Sequence, residues 1–135
     1  MTMTVGDVIA ERAVQVTRES LVRYAGASGD FNPIHYRDDI AAEVGLPGVL
    51  AHGMLTMGIA ASVVTEALPG TARLLDYGVR FARPVVVDPQ SGAQLTVTAT
   101  VGAVDDNEVR IDLAVKHDTT TVLVKAQLLY AADSL

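Results

Sequence analysis

GMLTMGIAASVVTEA, residues 53–67, is the segment that says most about the architecture of this chain. It carries no charged residue before Glu66 and is followed by Leu68-Pro69-Gly70, so a helix is predicted over residues 53–67. A helix that is apolar all round is expected to be buried on all sides. The apolar run from Val49 to Val64 is interrupted by polar residues and is shorter than the roughly 18–20 residues of a membrane-spanning helix. The sequence therefore predicts one buried central helix.

The second half of the chain alternates apolar and polar residues with period two, which is typical of half-buried strands. Strands are predicted over residues 74–83, 95–101, 109–115 and 121–130, with a hairpin turn at Asp105-Asp106-Asn107. Long antiparallel strands together with one buried helix predict an α+β fold, in which a sheet wraps around the helix.

The first half of the chain has weaker patterns. A short strand is predicted at residues 13–16, followed by a helix with Thr17 as its N-cap. Residues 30–35 are predicted to form a loop, because Pro33 disfavours the helical region for the residue before it. A second short helix is predicted over residues 38–44.

Composition excludes several classes of protein. The chain has 135 residues, a formal net charge of −6, a mean hydropathy of +0.32 and no cysteine. Half of the residues are apolar, which excludes a disordered chain, and a single domain over residues 1–135 is expected. The acidic balance argues against nucleic acid as a partner, and no membrane partner is expected. Without cysteine there are no disulfides or thiolate chemistry, and with no visible secretory signal a cytoplasmic protein is expected.

Candidate chemistry is concentrated in Ser28-Gly29-Asp30-Phe31-Asn32-Pro33-Ile34-His35. Asp30 and His35 are a carboxylate and an imidazole in one loop, and such a pair can divide acid and base roles near neutral pH. Spacing alone favours a plain turn, in which Asp30 and Asn32 bond to the local backbone. The full run Gly-Asp-x-Asn-Pro-Ile-His, however, is expected by chance in only about 10⁻⁵ of chains or fewer. A metal site formed with His52 is disfavoured, because no two histidines lie four residues apart and cysteine is absent.

A second candidate is Ala51-His52-Gly53-Met54, at the start of the predicted central helix. Free N–H groups at a helix N-terminus can polarise a carbonyl oxygen, and Gly53 has no side chain to block a ligand. The alternative is a helix start at which Gly53 only allows tight packing. His52 is expected to be a structural histidine rather than a second acid, and Met54 to lie in the core or the wall of a pocket.

These two runs resemble the MaoC-like family of (R)-specific enoyl-thioester hydratases and dehydratases. Similarity continues at Met3 to Asp7 and at Val79-Arg80-Phe81 with Pro84, so it covers nearly the whole chain. The run from His52 to Ile59 looks most like the catalytic B subunit of the actinobacterial (3R)-hydroxyacyl-ACP dehydratase. The resemblance implies a hot-dog fold, in which an antiparallel sheet wraps around a long helix. It also implies a dimer, either with a second copy of the chain or with a related hot-dog subunit.

Carried onto this sequence, the resemblance implies a catalytic dyad of Asp30 and His35, with the Gly53 N–H bound to the thioester carbonyl. The substrate-binding positions that we infer from it are Asn32, His52 and Met54. The implied reaction is reversible syn addition of water to a trans-2-enoyl thioester of CoA or ACP, which gives a (3R)-3-hydroxyacyl thioester. No cofactor and no metal are implied.

Two other functions remain open on the sequence. The chain is alternatively a non-catalytic hot-dog subunit that binds an acyl group or supports a partner, or it is a hot-dog thioesterase. The presence of both Asp30 and His35 argues against the first alternative. The second is disfavoured because such thioesterases usually rely on an acid on or near the central helix, and here none precedes Glu66.

Overall fold

One antiparallel sheet of five strands is the framework that places the candidate residues. The computed structural model describes residues 1–135. Its elements in chain order are β1 (Val8–Val16), α1 (Arg18–Ser28), a 3₁₀ turn (Pro33–His35), α2 (Asp38–Glu43), α3 (Gly53–Ala67), β2 (Leu74–Phe81), β3 (Ala93–Val104), β4 (Glu108–His117), β5 (Thr120–Ala131) and a second 3₁₀ turn (Ala132–Ser134). The strand order is β1-β3-β4-β5-β2, so β1 and β2 are the two edges. The predicted α+β architecture is confirmed, and no helix is long and apolar enough to cross a membrane.

The core lies between the sheet and helix α3. Alternate residues of β3 and β4 are buried, as the period-two pattern predicts; they are Leu95, Val97, Ala99, Val101, Val109, Ile111, Leu113 and Val115. They belong to one cluster of 25 buried residues that also includes Ala60, Val63 and Val64 of the helix. Each fully buried Val or Leu contributes about 1.5–3 kcal/mol relative to an exposed one. The helix is therefore held across the sheet by side-chain burial.

Two predictions from the first half of the chain need correction. The strand predicted at residues 13–16 is in fact the nine-residue strand β1, which pairs with β3 from Val16 back to Val8. Its outer part is an exposed edge and therefore lacks a clear alternation of apolar residues. The loop predicted at residues 30–35 contains a 3₁₀ turn at Pro33–His35, because the Asn32 side chain accepts a hydrogen bond from the Ile34 N–H.

Helix α3 has the predicted bounds, but the prediction that it is buried on all sides is wrong. Met54, Gly58 and Ser62 form an exposed stripe along it, and Met54 is 58% exposed. The sheet covers only one side of the helix, which packs mainly against β1 and β3. At the free edge of the sheet, β2 likewise exposes three large apolar side chains, those of Leu74, Leu75 and Phe81.

Candidate active site

The C-terminal cap of helix α1 positions Asp30. Thr17 and Ser20 form a capping box at the start of the helix. At its end Gly29 adopts φ +77°, and its N–H donates to the Ala25 carbonyl at 2.9 Å. The next residue, Asp30, is held by an N–H bond to the Ser28 hydroxyl at 3.1 Å. The turn that sequence spacing suggested is therefore present, and it carries the acid.

Asp30 and His35 face each other across a gap. The Oδ2 atom of Asp30 lies 3.9 Å from Nε2 of His35, which is too long for a direct hydrogen bond. The other carboxylate oxygen, Oδ1, accepts from the Asn32 N–H at 3.1 Å. Nδ1 of His35 lies 2.7 Å from the Leu50 carbonyl, which only accepts, so this nitrogen carries the proton. Both partners are thus oriented by the backbone, and the gap suits one bridging water.

His52 packs against His35 and is itself buried. It is 1% exposed, and its ring stacks on the ring of His35 with centroids 3.9 Å apart. Its Nε2 donates to the Asp30 carbonyl at 3.2 Å, and Tyr24 packs edge-on at 4.8 Å. Its Nδ1 is buried and has no hydrogen-bond partner. Burial lowers the pKa of His52 below 6.5, against the opposing effect of its bond to the Asp30 carbonyl, so the ring is held neutral.

The same three side chains bring potential metal ligands together. One ligand atom from each of Asp30, His35 and His52 lies within 4.8 Å of the others. The two imidazole rings are stacked at 21°, however, so their nitrogens do not converge on one point. Nε2 of His52 is also engaged with the Asp30 carbonyl. The arrangement fits an acid–base pair with a supporting ring better than a metal site.

A cleft of about 310 Å³ opens beside His35 and the start of helix α3. It is lined mainly by apolar residues and includes Gly53, whose N–H has no hydrogen-bond partner within the chain. This N–H lies at the positive end of the helix dipole. The ring of Phe81 covers Gly53 so closely that a Cβ there would lie 2.9 Å from the Phe81 Cε1. The cleft therefore offers a free N–H donor at Gly53, and the absence of a Cβ on this residue leaves room for the Phe81 ring.

The structure brings together most, but not all, of the predicted site residues. His35 and Gly53 line one cleft, and Asp30 lies 3.9 Å from His35 without being part of that lining. The Asn32 side chain bonds to the Ile34 N–H at 3.2 Å and acts on the loop. Met54 does not line the cleft, and its predicted place in the core is wrong, because the residue is 58% exposed on the open side of α3.

Sequence reasoning missed two parts of the site. The Leu50 carbonyl orients His35, and the Phe81 ring packs on Gly53. A backbone acceptor leaves no signature in a sequence, so no signal was available for Leu50. Phe81 belongs to the run Val79-Arg80-Phe81, which the resemblance marked without giving it a role.

Comparison with known proteins identifies the family. The model of the MaoC like domain matches residues 2–122. The chain belongs to the MaoC-like family. Among solved structures, a MaoC-like dehydratase superposes with a TM-score of 0.86 and 31% identity, covering 96% of this chain and 40% of that one. A ChsH1–ChsH2 complex from Mycobacterium tuberculosis gives a TM-score of 0.85 at 20% identity, covering 96% and 98%, and this likeness concerns the fold alone.

Relatives with known activities match part of the chain. The 3-hydroxyacyl-thioester dehydratase X of M. tuberculosis is 37% identical over 79 residues, which are 58% of this chain and 27% of that protein. The (R)-specific enoyl-CoA hydratase of Rhodospirillum rubrum is 31% identical over 93 residues, 68% of this chain and 65% of the other. This MaoC-like chain thus spans less than two thirds of the length of either relative.

Proposed function

We propose that this MaoC-like protein catalyses the reversible syn addition of water to a trans-2-enoyl thioester, giving a (3R)-3-hydroxyacyl thioester. The observation that carries the proposal is the pair of Asp30 Oδ2 and His35 Nε2, 3.9 Å apart beside the cleft. The free N–H of Gly53 lies on the same cleft. Relatives that are named as an enoyl-CoA hydratase and a hydroxyacyl-thioester dehydratase support the same chemistry.

In this proposal Asp30 and His35 hold one water between them. As the water oxygen adds to C3 of the enoyl group, Asp30 accepts one of its protons. In this step His35 carries a proton on Nε2 as well as on Nδ1, and it donates the Nε2 proton to C2. Transfer of the proton from Asp30 back to His35 then restores the starting state. The hydroxyl group reaches C3 and the proton reaches C2 from the same side, which accounts for syn addition. Positioned acid and base groups of this kind contribute about 10²–10⁴-fold each.

The third participant is the N–H of Gly53. Attack at C3 moves negative charge onto the thioester oxygen, and a fixed donor stabilises this charge more strongly than it stabilises the ground state. Because Gly53 is the first residue of α3, the helix dipole adds to the effect. The site thus supplies a base, an acid and an oxyanion donor from three backbone-anchored positions.

The experiment is hydration of crotonyl-CoA, followed as loss of the absorbance of the enoyl thioester. Asp30→Asn and His35→Ala are each expected to lower kcat by about 10²–10⁴-fold while the melting temperature changes little. Asp7→Asn and His117→Ala are matched controls, because they alter the same residue types far from the cleft in sequence and are not part of its lining. Full activity in either dyad variant would overturn the assignment.

The structure supplies arguments against the two alternative functions. A thioesterase carboxylate on the central helix would have to be Glu66, but that side chain forms an ion pair with Arg12 at the far end of α3. A subunit that only binds acyl groups needs no oriented dyad, yet Asp30 and His35 are each fixed by a backbone hydrogen bond. Release of free CoA from crotonyl-CoA would nevertheless favour the thioesterase, and it is measured in the same samples.

We also propose that the chain pairs with a second hot-dog subunit through β2 and the exposed stripe of α3. Edge strand β2 has a free row of backbone groups, and Leu75 is 48% exposed on it. A complex of two subunits among the structural neighbours is consistent with this arrangement. Leu75→Lys is expected to give a monomer in sedimentation, whereas Val44→Lys, at a position that is 60% exposed and lies outside β2 and α3, is not. Purified chain that is monomeric before any substitution would point to a different, related subunit.

Three further assignments remain predictions. Direct contact of Asn32, His52 or Met54 with substrate is one of them, and the burial of His52 means that it would act through His35 and Asp30. A single domain over residues 1–135 is the second. A cytoplasmic location is the third, and its support is the absence of cysteine.

A further inference from the structure

His52 lies where several segments of the chain meet. It is the N-cap residue of α3, and its ring contacts Tyr24 of α1 and His35 of the first 3₁₀ turn. Its Nε2 donates a hydrogen bond to the main-chain carbonyl of Asp30, in the loop between α1 and that turn. The buried ring of His52 therefore joins the start of α3 to three segments that precede it in the sequence.

Histidine is an unfavourable residue at this position if only stability is considered. Ser, Thr, Asn and Asp are the preferred N-cap residues, because their side chains accept a hydrogen bond from the first turn of the helix. The His52 side chain makes no such bond. Its Nδ1 is buried without a hydrogen-bond partner, and an unpaired buried group of this kind destabilises a folded chain. Residue choices that break a rule of local stability are expected at functional sites.

The contacts of His52 reach each of the three groups in the proposed mechanism. Its hydrogen bond of 3.2 Å holds the main chain of Asp30. Its ring stacks on that of His35, with centroids 3.9 Å apart and planes inclined at 21°, which restricts rotation of the His35 ring away from the Leu50 carbonyl. Gly53, with the proposed oxyanion donor, is joined to His52 by a peptide bond. One residue thus connects the acid, the imidazole and the N–H group.

We propose that His52 is a positioning residue, which sets the distances between Asp30, His35 and the Gly53 N–H without touching the substrate. The inference rests on the proposed function. His52 is 1% exposed and does not line the cleft, so it acts through its neighbours. The effect on the rate is expected to be large for so indirect a role, because a misplacement of about 1 Å can lower a rate by about 10²-fold.

The neutral state of His52 also suits this position. In the proposed step His35 carries two ring protons, so a positive charge lies against the face of the His52 ring. Burial lowers the pKa of His52, although its bond to the Asp30 carbonyl opposes this shift. Tyr24, which packs edge-on against the ring, adds no positive charge. A neutral aromatic ring attracts a cation at its face, whereas a second cation with its centroid 3.9 Å away would repel it.

Three substitutions separate the two contacts of the ring. His52→Leu removes both the stack on His35 and the hydrogen bond to Asp30. His52→Gln keeps an N–H donor for the Asp30 carbonyl, and His52→Phe keeps a flat ring against His35. With crotonyl-CoA, kcat is expected to fall by about 10–10²-fold in His52→Leu and by less in the other two variants. KM should change by less than about twofold, because His52 does not contact the substrate.

Stability distinguishes positioning from a merely structural role. The melting temperature of His52→Leu should stay close to that of the wild type, because leucine removes the unpaired Nδ1 together with the hydrogen bond. His117→Leu is the matched control, since it makes the same substitution at a histidine outside the cleft lining, and its kcat should equal that of the wild type. Losses of kcat that follow losses of melting temperature across the three His52 variants would overturn the inference.

A measurement without turnover separates this inference from the proposed function. Nitrogen-15 NMR of the imidazole rings reports the tautomer of His35, which in the wild type should carry its proton on Nδ1, towards the Leu50 carbonyl. In His52→Leu the freed ring should show a mixture of tautomers, and His52→Phe should keep the wild-type form. An unchanged tautomer or an unchanged kcat in His52→Leu would overturn the inference. A tautomer change in a protein that does not hydrate crotonyl-CoA would support the positioning of His35 and overturn the proposed function alone.

Discussion

Replacing Gly53 by proline removes one N–H group while leaving helix α3 able to form. Proline is favoured at the first position of a helix, where the lost donor has no acceptor within the helix. Gly53 occupies this position, and His52 before it has φ −60° and ψ 131°, the extended backbone that a following proline requires. The substitution therefore removes the proposed oxyanion donor and keeps the secondary structure.

The expected size follows from the geometry of the cleft. Removal of one oxyanion donor costs about 10²–10³ in kcat, or roughly 2.7–4 kcal/mol. Proline also adds a Cβ at Gly53, where such an atom would lie 2.9 Å from Cε1 of Phe81. Gly53→Ala is the matched control, because it adds the same atom and keeps the N–H. Phe81 is 55% exposed and its ring can move aside, so the alanine variant should lose much less activity than the proline variant.

The assay measures kcat and KM for crotonyl-CoA in both variants, with circular dichroism and melting temperature as checks on folding. The difference between proline and alanine should appear mainly in kcat, because the donor acts more strongly on the transition state than on the bound substrate. Equal losses in the two variants would refute the reasoning. They would mean that the added Cβ, rather than the missing N–H, impairs the site.

Three further predictions concern stability and are measured by equilibrium urea unfolding. Gly92→Ala should lower the free energy of unfolding by about 3 kcal/mol and Gly29→Ala by about 1 kcal/mol. Both glycines have positive φ, but only at Gly92 would a Cβ collide with the Val16 carbonyl. Equal losses in the two variants would contradict this explanation. Because burial lowers the pKa of His52, the unfolded chain takes up a proton at this residue at a higher pH than the folded chain does. The free energy of unfolding of the wild type should therefore fall by up to about 1.4 kcal/mol per pH unit below pH 6.5. In His52→Leu this decline should be smaller. Tyr77→Phe should cost about 1 kcal/mol at pH 7, because the hydroxyl donates to the Met57 carbonyl at 2.6 Å. Burial raises the pKa of Tyr77 to about 12, so this residue favours folding below pH 10 and its contribution falls as the pH rises towards 12; an unchanged Tyr77→Phe difference at pH 11 would contradict the burial argument.

The fold was largely predictable because its main signals are local. Helix α3 begins at Gly53 and ends at Ala67, as expected, since a long apolar run between a glycine and Leu68-Pro69-Gly70 has few other solutions. The alternation in β3 and β4 corresponds to residues that are buried in the structure. Burial of α3 was the exception. An apolar helix side that faces a second subunit cannot be told from one that faces the chain's own core.

The candidate site was predictable only where it consists of side chains that form a recognisable motif in the sequence. Asp30 and His35 were found because an unusual run of residue types fixes both in one turn. The placement of His52 against the ring of His35 was not, because 17 residues separate them in sequence and only the packed fold joins their rings. The Leu50 carbonyl, which fixes the His35 proton on Nδ1, was equally invisible.

The open surfaces of the single chain and the chemistry of its site are connected. The Asp30 side chain is 51% exposed and Phe81, over Gly53, is 55% exposed, so water has access both to the acid and to the cleft. A fixed donor stabilises developing charge most strongly where bulk water is excluded. The edge of β2 leads directly to Phe81, so a subunit that pairs with this edge would also cover the mouth of the cleft. Pairing of subunits and catalysis would then depend on the same strand. This would explain why the chain keeps an exposed edge at β2, which is unfavourable in a monomer.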